Sequence, residues 1–284
     1  MKTRNYIFDL YGTLLDIRTN EDKASLWREL SKLYQVYGTL REPKELYKTY
    51  LKMDQEERKN TSSWNGSPTP EIRLEKVFAR LLFSGEGDAK IRDCGILIRE
   101  KTVDEWREDY GKDPEETVTA LSKSEWAFFF SNAFRTLSRE YVKPFDHTIR
   151  TLEKLKKKKK NVYLLSNAQR IFTYPEIEES GILPYFDGIF ISSDYDRKKP
   201  DPLFMEELLK GTGIKKEESV LVGNEIESDV RCALLCGMNS IYLNTLKLEK
   251  KEIRQKIEAQ LEETGASKKL APKVIMDGDI GKIV

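Results

Sequence analysis

The chain has 284 residues, enough for one large domain or two ordinary ones, and 39% hydrophobic residues supply a sizeable core. Lys and Arg number 49 against 48 Asp and Glu, a net charge of +1 that gives no reason to expect nucleic acid as a partner. Cys94, Cys232 and Cys236 are too few and too irregular for a disulfide framework, and no uncharged apolar run approaches the ~20 residues that span a bilayer, so the expectation is a soluble, cytoplasmic protein with no membrane partner.

Tyr6, Ile7 and Phe8 read as a short buried strand that ends on Asp9 and breaks at Gly12. The basic residues before it, followed by so short an apolar run, do not make a signal peptide or an anchor. A carboxylate at the end of a buried strand, just before a glycine, sits where open α/β sheets place their ligands. It can equally cap a turn, with Thr13 bonding its own backbone.

Long helical patterns follow. Leu26, Leu30, Leu33 and Tyr37 recur at helical spacing before Gly38. Glu42 to Lys59 is charged, with Leu46, Tyr50 and Leu51 on one face. Thr61 to Pro70 is dense in turn residues and reads as a loop, with Trp64 as a packing anchor. The next helix turns Ile72, Val77, Phe78, Leu81 and Leu82 inward. Residues 85–112 carry no clear pattern. Asp113-Pro114-Glu115-Glu116 is a helix start, and that helix carries Trp126, Phe128, Phe129, Phe130, Phe134 and Leu137 as the core of a helical subdomain.

From Lys143 strands and helices alternate. Thr148 to Lys160 reads as a helix, its lysine-rich end favoured by the helix dipole. His147, the single histidine, falls at that helix start as a surface or capping residue. Strands are expected at Asn161–Leu165, Gly188–Ser192, Ser219–Val222 and Asn239–Leu243, with helices near 169–180, 201–212 and 227–236. A charged helix from Leu248 to Thr264 and a last strand at Lys273–Met276 complete the chain. Repeated strand–helix units imply a parallel sheet with right-handed crossovers. The first strand stands about 125 residues from the others, far beyond a connecting loop. The fold class is therefore α/β, a Rossmann-like core with an inserted all-helical cap: residues 1–15 and 143–284 form the core and 16–142 the cap.

Polar residues collect where strands end: Ser166-Asn167, then Lys199-Pro200, then Gly223-Asn224-Glu225 with Asp229 further on. Together with Asp9 and Thr13 they converge on one rim of a parallel sheet. A carboxylate nucleophile, hydroxyl and amide donors, a cation and extra oxygen ligands suit transfer of an anionic group through a covalent aspartyl intermediate. Cys232 and Cys236, one helical turn apart, are an incomplete metal site and read as buried small residues.

In order and placement these residues resemble the four motifs of the haloacid dehalogenase (HAD) superfamily, and an insert after the first motif resembles its cap-bearing branch. The resemblance implies Asp9 as nucleophile, Thr13 and Ser166 bonding the nucleophile region or the transferred group, Asn167 adding an N–H donor, and Lys199 neutralising charge. It also implies Mg²⁺ held by Asp9, the Tyr11 carbonyl, Asp229 and Asn224. Glu225 is either an extra ligand or a solvated loop acid. Two departures pull apart. Tyr11 occupies the place where most superfamily phosphatases carry an acid/base aspartate, and 2-haloacid dehalogenases have tyrosine there. Those dehalogenases hold water with an asparagine where this chain has Ile226, and carry a tyrosine where it has Met205. The leading expectation is a Mg²⁺-dependent phosphatase acting on a small phosphate ester. A metal-independent 2-haloacid dehalogenase and a catalytically impaired ligand-binding relative are the alternatives. Substrate choice is expected in the cap, with Trp64, Arg73, Arg135 and the Trp126 cluster as candidates. Oligomeric state has no sequence signature here.

Overall fold

The computed structural model describes residues 3–87 and 96–284, so Cys94 lies outside the described residues. The chain divides into two compact units. The first comprises Met1–Ile17, Asn65–Glu71 and Tyr141–Val284; the second comprises Arg18–Trp64 and Ile72–Glu140. Residues 65–71, which the sequence reading puts in the inserted segment, thus fall in the first unit.

In the second unit, α1 (Ala24–Val36) buries Leu26, Trp27, Leu30 and Tyr34 on one stripe. Helix α2 runs over Pro43–Asn65, so the expected loop from Thr61 begins one helical turn late. That extension leaves Trp64 68% exposed, which overturns its reading as a packing anchor. Leu51 is also exposed, because the buried stripe of α2 passes through Leu46 and Tyr50. Helix α3 (Leu74–Leu82) buries Val77, Phe78, Leu81 and Leu82 as expected. Helix α4 (Val103–Lys112) opens on a capping box at Thr102 and Glu105.

The helix expected from Asp113 is two helices. Asp113 accepts from Glu116 N–H and starts α5 (Pro114–Leu121), and Ser124 accepts from Ala127 N–H to start α6 (Glu125–Ser138). Trp126, Phe130 and Phe134 are buried, whereas Phe128 and Phe129 fall on the outer face and are about half exposed. Phe134 packs with Trp27, Tyr50 and Phe78 at centroid distances of 6.1, 5.9 and 5.2 Å. The unit also holds two short antiparallel ladders, Thr39–Leu40 with Glu86–Gly87 and Leu97–Ile98 with Lys101–Thr102, and so is not wholly helical.

The first unit is built on a parallel sheet of β1 (Asn5–Phe8), β2 (Asn161–Ser166), β3 (Gly188–Ile191), β4 (Ser219–Gly223), β5 (Asn239–Leu243) and β6 (Lys273–Ile275). Their spatial order is β6-β5-β4-β1-β2-β3, which puts β1 at the centre. The connecting helices are α7 (Thr148–Lys157), α8 (Arg170–Glu179), α9 (Pro202–Thr212), α10 (Arg231–Leu235) and α11 (Lys250–Thr264). A π-helical turn over Ile226–Val230 precedes α10.

Both faces of the sheet are covered, which is why its strands read as apolar runs rather than alternating ones. Ile7, Leu165 and Leu221 pack on one face with Phe204 and Leu208 of α9. Phe8, Leu164 and Val222 pack on the other with Leu152 and Leu155 of α7. Phe8 is in register with both Leu164 and Val222, so the carboxyl ends of the parallel β1, β2 and β4 lie on the same edge of the sheet, β4 running one residue and β2 two residues beyond β1. Among the described residues, no helix is long and apolar enough to cross a membrane.

Candidate active site

The parallel strand ends bring the expected residues to one rim. Asp9 leaves β1 and is buried, as are Thr13, Ser166, Lys199, Asn224 and Asp229. Lys199 Nζ donates to Asp9 Oδ1 at 2.8 Å and to Asp229 Oδ1 at 2.7 Å. Thr13 Oγ1 lies 3.2 Å from Asp9 Oδ2 and 3.1 Å from Asn224 Oδ1 and can donate to either. Glu225 N–H donates to Asp229 Oδ2 at 3.0 Å. Asn167 ties two loops together: its Oδ1 accepts from Lys199 N–H at 2.8 Å and its Nδ2 donates to Lys199 O at 3.0 Å. Ser166 Oγ is buried with no hydrogen-bond partner among the described residues.

Two glycines make room for this set. A Cβ on Gly12 would stand 2.3 Å from Asn224 Nδ2, and φ of +80° there already disfavours any side chain. A Cβ on Gly223 would stand 2.2 Å from Asp229 Oδ2. The Asp229 carboxylate therefore rests against the Gly223 backbone.

Burial pushes the Asp9 carboxyl up to about 7; Lys199 pulls it back and Asp229 pushes it further up. Burial pulls on Lys199 in the opposite sense, but Asp229 and Asp9 outweigh it and hold the ammonium above its ordinary range. Lys199 is accordingly a fixed cation 2% exposed, flanked by two carboxyls.

Tyr11 takes a different direction. Its hydroxyl lies 3.0 Å from Thr173 Oγ1 and donates to Glu176 Oε2, both buried residues of α8. The side chain of Glu225 is exposed. His147 is half exposed and its Nδ1 lies 2.9 Å from Asp279 Oδ1. Cys232 is buried and Cys236 half-buried, both as free thiols.

The acceptor groups gathered around Thr13 and Lys199 are oxygen atoms: the Asp9 and Asp229 carboxyls and the Asn224 amide oxygen. Among the described residues no three His, Cys, Asp or Glu side chains group to hold a metal. Such a sparse oxygen set fits Mg²⁺, which takes one or two carboxylates and keeps several waters. Soft or tightly caged metals do not fit it.

Three neighbours escaped the sequence reading. Thr245 Oγ1 donates to Gly12 O at 2.7 Å, just past the end of β5. Ser228 Oγ accepts from Asn167 Nδ2 at 3.2 Å. Glu176 lies within a helix. The strand-end rule that picked out Asn224 would have found Thr245; nothing local marks Glu176. Of the cap candidates, Arg135 and Trp126 are buried in the second unit and Trp64 is exposed.

The family model described as haloacid dehalogenase-like hydrolase matches residues 97–243. The chain is similar to a glyceraldehyde 3-phosphate phosphatase of Methanothermobacter thermautotrophicus, 34% identical over 104 residues. That match covers 37% of this chain and 46% of the other, so the chain spans about half of that relative's length. It is also similar to a phosphoglycolate phosphatase of Nitrosococcus oceani, 27% identical over 175 residues that cover 60% of this chain and 74% of the other. A solved structure, the 2-haloacid dehalogenase from Pseudomonas syringae pv. Tomato DC3000, aligns with a TM-score of 0.56 at 18% identity, covering 99% of this chain and 96% of that one. This last likeness is one of fold.

Proposed function

The chain belongs to the haloacid dehalogenase-like hydrolases, and we propose that within them it is a Mg²⁺-dependent phosphatase of a small phosphorylated metabolite, working through an aspartyl-phosphate at Asp9. One observation carries the choice over dehalogenation. Ile226, where the dehalogenases hold water with an asparagine, is buried in an apolar cluster with Val230, Leu234 and Tyr242. Met205 likewise lies in the core, with Ile7 and Phe204. The two relatives named as phosphatases support the same reading.

In this reading the Asp9 carboxylate attacks phosphorus and the ester oxygen leaves with the bonding pair. Thr13 orients Asp9, and Lys199 balances the charge that gathers on the transferring group. Asp229 keeps Lys199 aimed at Asp9. The unpartnered Ser166 hydroxyl is a donor for a phosphoryl oxygen. Asp9, Asp229, Asn224 and the Tyr11 carbonyl would hold Mg²⁺, which neutralises phosphoryl charge when bound. Water then attacks the aspartyl-phosphate, returning the Asp9 carboxylate and releasing phosphate.

Hydrolysis of 4-nitrophenyl phosphate with Mg²⁺ tests the proposal. Activity should vanish with EDTA and in Asp9→Asn; no turnover across a broad panel of phosphate esters would refute it. Tyr11 is the one feature that favours the dehalogenase. Halide release from 2-chloropropionate in EDTA would establish that activity instead.

A further inference from the structure

Residues 65–71, from the last residue of α2 toward α3, hydrogen-bond to the two loops that carry Asn167 and Lys199. Asn65 Nδ2 donates to Asp196 O at 2.6 Å, and Glu71 N–H donates to the same carbonyl at 3.2 Å. Ser67 Oγ donates to Asp201 Oδ2 at 2.6 Å, and Asp201 caps α9 through Leu203 N–H at 3.0 Å. The buried Glu71 carboxylate accepts from Ser192 Oγ at 2.8 Å and from Gln169 Nε2 at 3.3 Å. Ser192 Oγ in turn accepts from Ala168 N–H at 2.8 Å, directly after Asn167.

Thr69 makes the most pointed of these contacts. Its carbonyl accepts from Lys198 N–H at 3.1 Å, and its hydroxyl donates to Lys198 O at 2.8 Å. That carbonyl belongs to the peptide joining Lys198 to Lys199. The N–H of the same peptide donates to Asn167 Oδ1 at 2.8 Å. The peptide is thus held at its oxygen by the Thr69 hydroxyl and by Asp201 N–H, which donates to Lys198 O at 3.0 Å, and at its nitrogen by Asn167. Hydrogen bonds on opposite edges fix the rotation of a peptide plane; of the three here, the Asp201 bond comes from within the loop and the Thr69 and Asn167 bonds from outside it, and the Lys199 side chain departs from the atom next to the nitrogen.

We propose that Asn65–Glu71 is a positioning element for the site, a brace that sets the aim of Lys199 through the Thr69 contact and the height of the Asn167 loop through Glu71. Its catalytic consequence rests on the phosphatase reading above; its mechanical part does not. Turns are otherwise mobile, and a displacement of about 1 Å in a reacting group costs up to ~100-fold in rate. A cation held by a long side chain is sensitive to such a shift, because its attraction to the transferring group falls with distance.

The test uses the full chain and the variants Thr69→Val, Thr69→Ser and Glu71→Gln. Thr69→Val keeps the shape of the side chain and removes the hydroxyl; Thr69→Ser keeps the donor. On 4-nitrophenyl phosphate, Thr69→Val should lower kcat by ~10-fold or more with KM unchanged, and Thr69→Ser should restore it. Thr69→Val and Asn167→Ala should be non-additive in kcat, since both act on one peptide. Amide hydrogen exchange should quicken over residues 196–201 in Thr69→Val and over 167–170 in Glu71→Gln. Unchanged exchange in those loops overturns the brace, and so does unchanged kcat in an active enzyme. If the wild-type protein hydrolyses no phosphate ester, or Asp9→Asn retains activity, the phosphatase reading fails, and the exchange data alone decide whether the brace stands. A drop that appears equally with Thr69→Ser, or only as a lowered melting temperature, assigns the segment to stability and overturns its positioning role.

Discussion

Lys199 Nζ lies 2.8 Å from Asp9 Oδ1, a contact between residues 190 positions apart in the chain. Burial nevertheless lifts Asp9 from an ordinary value of 3.8 to about 7, so the folded protein holds that proton more tightly than the unfolded chain does. The sign follows. Stability attributable to Asp9 is full below about pH 4 and is lost as pH rises through about 7. The melting temperature of Asp9→Asn relative to wild type should therefore climb between pH 4 and pH 7 in the presence of EDTA. A difference that is flat, or that falls over this range, would show that Asp9 is not held in this state. The metal-free condition is needed because a divalent cation favours the carboxylate.

Gly223 and Gly12 should be intolerant for different reasons. At Gly223 the added Cβ meets the Asp229 carboxylate at 2.2 Å, so Gly223→Ala must displace the partner of Lys199. The expected result is a loss of kcat of ~100-fold, the scale of a misplaced group, with overpacking costing about 1–3 kcal/mol in stability. At Gly12 the backbone itself resists, at φ +80°. Gly12→Ala should therefore show the larger drop in melting temperature of the two. Equal activity of Gly223→Ala and wild type would mean that Asp229 is free to move aside.

How much of this was legible in the sequence depends on whether the signal is local. Asp9, Ser166 and Asn224 end apolar strands, and strand ends are written in consecutive residues, so the rim could be read before the fold was known. Lys199 was found by its place after β3. The brace at 65–71 could not be found that way. Ser67 and Thr69 look like ordinary turn residues, and their partners Asp201 and Lys198 are more than 100 positions away. The buried Glu71 and Glu176 have the same character, since a single acid in a polar stretch carries no mark of burial. Ser124 gives no clear sign of a helix start, because the apolar spacing on either side of it continues nearly in phase.

The aromatic centre of the second unit allows a separate check on its packing. Phe134 is fully buried against Trp27, Tyr50 and Phe78. Phe134→Ala should cost about 3–5 kcal/mol, whereas Phe128→Ala, on the exposed face of the same helix, should change stability by less than about 0.5 kcal/mol. Urea melts followed by tryptophan fluorescence would report this unit through Trp27 and Trp126. Equal effects from the two substitutions would mean that α6 does not bury Phe134 in preference to Phe128.

Tyr11 sets the last expectation. Its hydroxyl is committed to Glu176 and Thr173, and tyrosine's reference pKa of about 10 makes it a reluctant proton donor. An ester oxygen leaving from phosphorus beside Asp9 therefore departs with little help from this position. A good leaving group needs none; an alkoxide does. Turnover should consequently fall steeply from 4-nitrophenyl phosphate to a simple alkyl phosphate. Tyr11→Asp places a carboxyl where most superfamily phosphatases have one, and it should raise alkyl phosphate turnover by ~10-fold or more relative to aryl turnover, within the ~100- to 10,000-fold that general acid catalysis supplies. The measurement is the ratio of kcat for the two esters in wild type and variant. Tyr11→Phe is the control, since it removes the hydroxyl contacts to Glu176 and Thr173 without adding an acid. A ratio that moves as much in Tyr11→Phe as in Tyr11→Asp would trace the effect to loss of the tyrosine hydroxyl rather than to the new carboxyl. A wild-type ratio near unity would mean that the leaving oxygen already receives a proton from another group.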